Sequence, residues 1–280
     1  MSTIDDFRKL SDREWFDLLV ESTRTETVRG LRFPRFPANE IQAQFVGSSN
    51  ENALAEGLRF YEFFKAEAGK AGRPLDAGAR ILDFGTGWGR YLRFFWKDVA
   101  ESGLHGVDID PVIIESCQSL GVPGKLERIE PLGRLPYADA SMDVILAYSV
   151  FTHLPENVHR HWMNEFKRVT RPGAIVAMTI EPRRFLEFVA GLKGKELESA
   201  WHAGLQRFSD YAAAMLPAYD AGQFVYLPTG GGDFRDATVY GDAVCPIGFF
   251  EANWAPEFSI RAHIDDPARF WQAAIVLQRI

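Results

Sequence analysis

The sequence has few of the features that mark disulfide-rich, metal-binding or membrane-spanning proteins. Cysteine is scarce: Cys117 and Cys245 are the only two in 280 residues, and neither stands in a CxxC or Cys/His pattern. Neither a disulfide framework nor a zinc site is therefore expected. No apolar run approaches the roughly 18 residues of a membrane span, and the amino terminus lacks the basic and apolar regions of a secretion signal. These absences predict a cytoplasmic protein without a membrane partner.

Positive charge is also in short supply. The chain has 31 Lys+Arg against 38 Asp+Glu, a formal net charge of -7, and no basic stretch interleaved with aromatics. A surface that follows a phosphate backbone needs such a stretch, so nucleic acid is not expected as a partner. Clustered acids at ligand spacing are missing too, and no metal ion is predicted.

The amino-terminal part of the chain contains two helical patterns. A capping box, Ser11 to Glu14, precedes apolar residues at helical spacing, and a second helix is predicted from about 50 to 69. Between them, the prolines of Leu31–Pro37 predict an extended connector with exposed aromatic and basic groups. About eighty residues thus precede the first clear strand.

From Arg80 onward short apolar strands alternate with helices, which is typical of βαβ units and a parallel sheet covered on both faces. Arg171–Gly173 is interpreted as a break before the last strand of this series. The predicted elements are strand 80–84, helix 88–101, strand 105–109, helix 111–120, strand 125–129, strand 142–148, helix 156–169 and strand 174–180.

The remaining chain adds an aromatic-rich segment and two final strands. Helices are predicted near 182–190 and 196–215, followed by a flexible glycine-rich loop at Thr229–Asp233. The many aromatic residues of 181–250 either form the core of a helical subdomain or wall a pocket. The strand-like segments 258–264 and 271–277 are separated by a link too short for a crossover helix, so they should pair antiparallel.

The most informative stretch is Ile81–Arg90, a buried strand that runs into a glycine-rich turn, with the sequence ILDFGTGWGR. Glycines permit positive φ and a close approach of backbone to a ligand. A dinucleotide fingerprint requires a third glycine where Arg90 stands, and Asp83 would repel a pyrophosphate but suits a cationic ligand. The turn therefore disfavours a nicotinamide oxidoreductase or epimerase, and the sequence has no P-loop.

An acidic residue ends the second strand. Asp108 lies roughly 20 residues beyond the glycine turn, where a carboxylate accepts hydrogen bonds from ribose hydroxyls. Asp110 is the competing candidate, but it precedes Pro111 and is better interpreted as a helix N-cap.

Four motifs together resemble those of class I S-adenosylmethionine (SAM)-dependent methyltransferases. They are DFGTGWGR at 83–90, GVDID at 106–110, LPYADASMDV at 135–144 and YSVFTHL at 148–154. The resemblance covers about residues 80–180, and the final strands are similar to the antiparallel sixth and seventh strands of that fold. It implies an α/β, Rossmann-like seven-stranded sheet, mostly parallel with the last strand antiparallel, and helices on both faces. The predicted division is a helical cap at 1–79, a SAM-binding core at 80–180, an inserted helical segment between strands 5 and 6 at 181–250, and final strands at 251–280.

The resemblance also implies roles for individual residues. The turn residues Gly85, Thr86 and Gly87 would line the methionine part of SAM, with Asp83 near its amino group. Asp108 would bind the ribose, with Ile109 against the adenine and Glu130 and Leu132 near the adenine amino group. Tyr148 and Ser149 end the fourth strand and should lie near the transferred methyl group, because ligands bind beyond the carboxyl ends of parallel strands.

A base is needed if the acceptor atom is a hydroxyl oxygen, and His titrates near neutral pH. His153 is the candidate, with Tyr148 as a second catalytic candidate, although the more common role for a histidine at this position is simply to cap the helix that begins near Pro155. His159 and His161, beside Arg160, are expected to face solvent. The sequence therefore predicts a methyltransferase that converts SAM to S-adenosylhomocysteine (SAH) on a small or medium-sized acceptor, such as a sugar or secondary metabolite, at oxygen.

The sequence leaves an alternative to catalysis open. A SAM-binding regulatory or interaction protein on the same fold would lack an acceptor pocket. A homodimer is compatible with the enzyme and with the regulatory protein. The segment Gln44–Ser49 is a candidate lid that offers backbone donors to the cofactor, or else the N-cap of the next helix. If it is a lid, deleting residues 1–45 should weaken turnover and leave the sheet folded.

Overall fold

The computed structural model describes residues 2–197, 199–231 and 234–280. The helices are α1 Asp12–Ser22, α2 Asn39–Val46, α3 Asn50–Lys70, α4 Arg90–Phe95, α5 Pro111–Leu120, α6 Glu156–Val169, α7 Arg183–Ala190, α8 Ala200–Gln206, α9 Ser209–Asp220 and α10 Ile247–Trp254. The strands are β1 Thr27–Val28, β2 Leu31–Arg32, β3 Ile81–Phe84, β4 Leu104–Asp108, β5 Lys125–Arg128, β6 Met142–Ala147, β7 Thr170–Ile180, β8 Val225–Leu227, β9 Asp242–Val244, β10 Phe258–Ile264 and β11 Ala273–Arg279. Among the described residues, no helix is both long and apolar enough to cross a membrane.

A seven-stranded sheet organises the chain, in the order β10-β11-β7-β6-β3-β4-β5. β3 pairs parallel with β4 and with β6, and β4 pairs parallel with β5. β10 and β11 pair antiparallel, as their short link requires. The predicted α/β fold, mostly parallel with an antiparallel final strand, is confirmed.

The described chain divides into two compact units. The first contains the chain up to Glu130 together with Arg134–Leu146 and Val169–Ile175, and the second contains Pro131–Gly133, Ala147–Arg168 and Val176–Ile280.

In the first unit, the amino-terminal segment contributes to the hydrophobic core. The predicted capping box starts α1: the Ser11 hydroxyl accepts from the Glu14 N–H at 3.2 Å, and the Glu14 carboxylate accepts from the Ser11 N–H at 2.8 Å. Trp15 then lies fully buried, with ring centroids 5.3 Å from Phe33 and 6.2 Å from Trp96. The expectation of an exposed connector was wrong for Phe33, because this ring packs into an aromatic core supplied by α1 and the chain after α4.

A buried arginine fastens the same connector. Arg93 is completely buried on α4, and its guanidinium donates to the carbonyls of Pro34 and Arg35 at 2.9 and 2.7 Å. It also lies over the Phe36 ring at 4.4 Å. The prolines prevent this segment from continuing a helix. The extended backbone that results directs its carbonyls toward the Arg93 guanidinium.

In the second unit, the 181–250 segment forms a small core of its own. Aliphatic and aromatic side chains of α7, α8 and α9 pack against β8 and β9, with Phe185, Leu186, Val189 and Leu227 among the buried residues. The predicted helix 196–215 is instead two helices, and the β8–β9 pair and α10 were not predicted. Glu198 of that predicted helix and Gly232 and Asp233 of the predicted loop lie outside the described residues.

Two predicted boundaries in the sheet were also wrong. β7 begins at Thr170, immediately after α6, so Arg171–Gly173 belong to the strand and do not separate it from the helix. Proline is tolerated there because it stands among the first residues of the strand. Helix 88–101 is the shorter α4, which starts after Gly89 in left-handed conformation and ends at Phe95.

Candidate active site

The glycine turn after β3 has the backbone that its sequence requires. Gly85, Gly87 and Gly89 have φ angles of 73°, 50° and 77°, a region that residues with a Cβ rarely adopt. The N–H groups of Gly85 and Thr86 both donate to the Val107 carbonyl at 2.9 Å, which fixes the turn to the end of β4. Backbone and the two strand-end carboxylates thus meet at one edge of the sheet.

Asp83 is a buried carboxylate in β3, one residue before the strand ends. It is 2% exposed and accepts a hydrogen bond from the Thr86 hydroxyl at 2.9 Å. Burial raises the pKa of Asp83 to about 7, against the opposing effects of the Thr86 hydrogen bond and the Arg90 charge, and the Asp108 charge raises it further. A carboxylate whose charge is destabilised in this way fits the cationic amino group that the sequence resemblance assigns to it.

Asp108 is the second buried carboxylate, at the last residue of β4. Its Oδ2 accepts from the Gly87 N–H at 3.2 Å and its Oδ1 from the Asp110 N–H at 3.1 Å. A carboxylate at the end of this strand, held by backbone N–H groups, is placed as the sequence resemblance expects of the residue that binds the ribose. Asp110 caps α5 through the Val112 N–H at 2.9 Å, the role that its sequence context indicates.

The residues predicted around the adenine lie nearer the surface. Ile109 is half-buried, and Leu132 is exposed. Glu130 is exposed and forms an ion pair with Arg128 at 3.1 Å. The role of these three residues at the adenine stays a prediction.

The segment before α3 lies against the glycine turn. A Cβ on Gly87 would meet the Phe45 ring at 3.4 Å. Gln42 anchors the segment, because its buried side chain donates to the Pro37 carbonyl and accepts from the Asn50 N–H, both at 2.9 Å. Ser49 occupies the N-cap position of α3, but its side chain makes no capping hydrogen bond. The contact of Phe45 with the turn supports the lid interpretation of Gln44–Ser49.

At the carboxyl end of β6, a polar network holds an unusual backbone. Ser149 has a φ of 57°, which is uncommon for a residue with a Cβ and is seen at functional sites. Its N–H donates to the Thr179 hydroxyl at 2.7 Å, and its own hydroxyl accepts from the Gln272 amide at 2.9 Å. The Thr179 hydroxyl donates to the Gln272 Oε1 at 2.7 Å, which closes the network beside half-buried Tyr148.

His153 is held with one ring nitrogen engaged. Its Nδ1 lies 2.8 Å from the Gly241 carbonyl, and its ring stacks on Tyr240 with centroids 4.5 Å apart at 16°. A carbonyl only accepts, so the assigned tautomer carries the proton on Nδ1 and leaves the Nε2 lone pair available. The side chain is 22% exposed, and Asp242 Oδ1 lies 3.8 Å from Nδ1. Burial lowers the pKa of His153, while the Asp242 charge and the Gly241 bond oppose this effect.

The two histidines of α6, His159 and His161, are not exposed to solvent as predicted. His159 is completely buried among Phe151, Phe224, Phe249 and Phe250, with ring centroids 4.8 to 5.6 Å away. Burial lowers the pKa of His159 to about 3. His161 is half-buried, and its Nε2 lies 2.7 Å from the Gly133 carbonyl. The expectation of exposure was wrong because, besides the nearby Phe151, the phenylalanines around His159 come from two segments far along the chain, at Phe224 and at Phe249–Phe250.

Two buried carboxylates near His153 were missed from the sequence. Glu181 directly follows β7, and burial together with the Asp242 charge raises its pKa to about 8. Asp242, the first residue of β9, accepts from the Thr229 hydroxyl at 2.7 Å, and burial raises its pKa. Neither residue stands in a motif, so only the pairing of β9 beside Glu181 reveals them. Within the described ranges, no group of His, Cys, Asp and Glu could hold a metal ion.

The chain is similar to known methyltransferases over its central part. Residues 82–178 match the model of a methyltransferase domain. An uncharacterized methyltransferase of Mycobacterium sp. (strain KMS) is 30% identical over 160 residues, which cover 56% of this chain and 58% of that protein. The chain therefore spans just over half the length of this curated relative.

Solved structures show the same fold over more of the chain. A Pyrococcus horikoshii OT3 protein superposes with a TM-score of 0.53 at 14% identity, covering 85% of this chain and 94% of that one. A geranyl diphosphate methyltransferase solved in complex with SAM gives a TM-score of 0.51 at 12% identity, covering 85% and 90%. At such identities the likeness concerns the fold alone.

Proposed function

We propose that this chain is a class I SAM-dependent methyltransferase that moves the methyl group of SAM to an oxygen of a small or medium-sized acceptor, such as a sugar or secondary metabolite. The match of residues 82–178 to a methyltransferase domain supports the proposal. The observation that carries the proposal is the pair of buried carboxylates, Asp83 and Asp108, on either side of a glycine turn. A cation and a vicinal diol are the ligand groups that this pair suits.

Each residue of the turn has a part in binding the cofactor. Asp83 pairs with the amino group, Asp108 accepts from the ribose hydroxyls, and Gly85, Thr86 and Gly87 leave room for the methionine chain. Ile109, Glu130 and Leu132 surround the adenine. Phe45, near the end of α2, covers the turn and excludes water.

On the acceptor side, the chain's contribution is to orient and deprotonate a hydroxyl group. SAM, when bound, supplies a methyl group that is activated by the sulfonium. His153 accepts the hydroxyl proton on Nε2, because its Nδ1 hydrogen is held by Gly241 and its lowered pKa keeps the ring neutral near pH 7. Tyr148 and Ser149, which follow β6, are assigned to the transferred methyl group because ligands bind beyond the carboxyl ends of parallel strands.

The first test is calorimetric titration with SAM and with SAH. We expect micromolar binding of both ligands by the wild type and its loss in Asp108→Ala, which removes the acceptor for the ribose. Asp110→Asn is the matched control, because it alters a carboxylate two residues away whose contact is the α5 cap. Failure of the wild type to bind either ligand, or equal losses in both variants, would refute the cofactor site.

A further inference from the structure

One oxygen of a buried carboxyl group beside Asp242 lacks a hydrogen-bonding partner, although the side chain also bonds Gln272. Glu181 is 4% exposed, and among the described residues its Oε2 has no partner. A buried polar atom of this kind costs free energy unless a ligand or water completes it. Glu181 directly follows the carboxyl end of β7, and ligands bind beyond the carboxyl ends of the strands in parallel sheets.

Arg184, the basic residue whose charge acts on Glu181, makes its own bonds with other groups. Arg184 pairs with Asp265, and its Nε and one terminal nitrogen donate to the carbonyls of Trp271 and Phe270, each at 3.1 Å. With Asp242 also close, the charged surroundings of Glu181 are not favourable for an anion. An uncharged hydroxyl group, which both donates and accepts, satisfies a neutral or ionised carboxyl group.

Exposed aromatic rings lie next to the same residues. Phe188, Trp201 and Trp271 form an aromatic cluster, in which Phe188 stacks on Trp201 at 5.7 Å and meets Trp271 edge-on at 5.9 Å. Trp201 is 50% and Trp271 is 51% exposed. Exposed rings grouped in this way mark a surface that binds a ligand or partner.

The aromatic cluster and Glu181 are connected through named contacts. Trp271 precedes Gln272, whose side chain bonds Ser149 and Thr179, and the Trp271 carbonyl receives Arg184. Phe188 lies one turn after Arg184 on α7. The polar network at the strand ends therefore continues into the aromatic cluster without an intervening element.

We propose that the acceptor is an uncharged amphipathic molecule: its hydroxyl-bearing head is held by Glu181 beside His153, and its flat apolar body lies on the aromatic cluster. This inference rests on the proposed function and adds the acceptor class to it. Glu181 is an acceptor-binding residue, and His153 remains the base. Aromatic rings bind such a body through stacking as well as through the area that they bury.

Matched glycosides test the two halves of the proposal. Calorimetry on the SAH-saturated protein compares p-nitrophenyl β-D-glucoside with methyl β-D-glucoside, which share the hydroxylated head and differ in the apolar body. We expect the p-nitrophenyl compound to bind at least about tenfold more tightly, as one good aromatic contact allows. Trp271→Ala should remove this preference, and Tyr211→Ala, which alters an exposed ring outside the cluster, should keep it.

Variants of Glu181 test the binding of the hydroxyl-bearing head of the acceptor. Glu181→Leu should weaken p-nitrophenyl glucoside binding about tenfold through loss of one hydrogen bond, and Glu181→Gln, which keeps a donor and an acceptor, should retain most of the affinity. Melting curves check that each variant is folded.

The proposal is overturned by equal affinities for the two glucosides, by binding of neither, or by an unchanged preference in Trp271→Ala. A shift of Trp271→Ala to a smaller sedimenting species would also overturn it, since the rings would then join two copies. Loss of SAH binding by the wild type would instead refute the cofactor site.

Discussion

At the scale of single residues, the buried carboxyl group of Asp83 should respond to pH near neutrality. Burial holds the pKa of Asp83 at about 7, well above the ordinary 3.8. A group whose pKa is raised on folding binds more protons in the folded state. Its contribution to stability is present at low pH and is lost as pH rises through about 7.

Asp83→Asn should therefore gain stability relative to the wild type as pH rises from about 5.5 to about 7.5, without SAM, since the amide carries no charge to bury. Over the same range SAM should bind the wild type more tightly as Asp83 ionises, and should bind the variant weakly at every pH. Thermal melting and calorimetry measure the two effects. Parallel pH dependences of wild type and variant would show that Asp83 does not titrate in this range.

The role of His153 predicts a pH–rate profile. The neutral ring is the base, so turnover should rise with pH through the lowered pKa of His153 and level off above it. Asp242→Asn removes a charge that raises this pKa, so the inflection should move to lower pH and the plateau should fall. His153→Gln should lose about 10² or more in kcat, measured as SAH formed with a hydroxyl acceptor. A profile that Asp242→Asn leaves unshifted would separate Asp242 from the base.

The sequence identifies site residues only where they stand next to a regular element in a motif. Asp83 and Asp108 end buried strands, so their positions followed from the strand pattern. Glu181, Asp242 and Gln272 come from three segments that meet only in the folded second unit, and no local pattern marks them. His159 was misplaced for the same reason, because its burial depends on Phe224, Phe249 and Phe250 far along the chain.

At the scale of elements, the start of α4 depends on contact with the end of α5. Gly89 is the N-cap of α4 with a φ of 77°, and a Cβ there would lie 2.5 Å from Val122 Cγ1. The glycine is thus required both for the backbone conformation and for close packing.

Gly89→Ala should lower the free energy of unfolding by about 2 to 4 kcal/mol, as the sum of left-handed strain and overpacking. Gly121→Ala is the matched control: its φ is 74° and nothing lies within 4 Å of a Cβ, so it should show the conformational cost alone. Adding Val122→Ala should lower the cost of Gly89→Ala to about that of the control. Denaturant unfolding measures the wild type, the three single variants Gly89→Ala, Gly121→Ala and Val122→Ala, and the double variant; additive losses in the double variant would contradict the packing contact.

The reliability of the sequence predictions follows the length of the elements. α5 and α6 begin and end where the periodicity predicts, because each has ten or more residues and clear end signals. β8 and β9 have three residues each, too few for alternation to be recognised, and they pair within a segment whose composition favours helices.

At the scale of the whole molecule, the amino-terminal segment cannot be removed as a simple lid. Deletion of residues 1–45 would take away Trp15, whose ring is fully buried and donates to the Arg93 carbonyl at 3.1 Å. It would also remove the Pro34 and Arg35 carbonyls that satisfy the Arg93 guanidinium. A buried cation without partners is strongly destabilising. The structure thus argues against the expectation that the truncated sheet stays folded.

We therefore expect the 46–280 fragment to lose cooperative thermal unfolding, whereas Phe45→Ala in the full chain should stay folded and weaken SAM binding. Trp15→Ala alone should cost about 3 to 5 kcal/mol, the range for a large buried aromatic. Circular dichroism melting and calorimetry distinguish the core contribution of the segment from its contribution at the glycine turn. A fragment that melts cooperatively near the wild-type temperature would mean that the first unit closes its core without α1, and the contact of Phe45 with Gly87 would then be the main contribution of the segment.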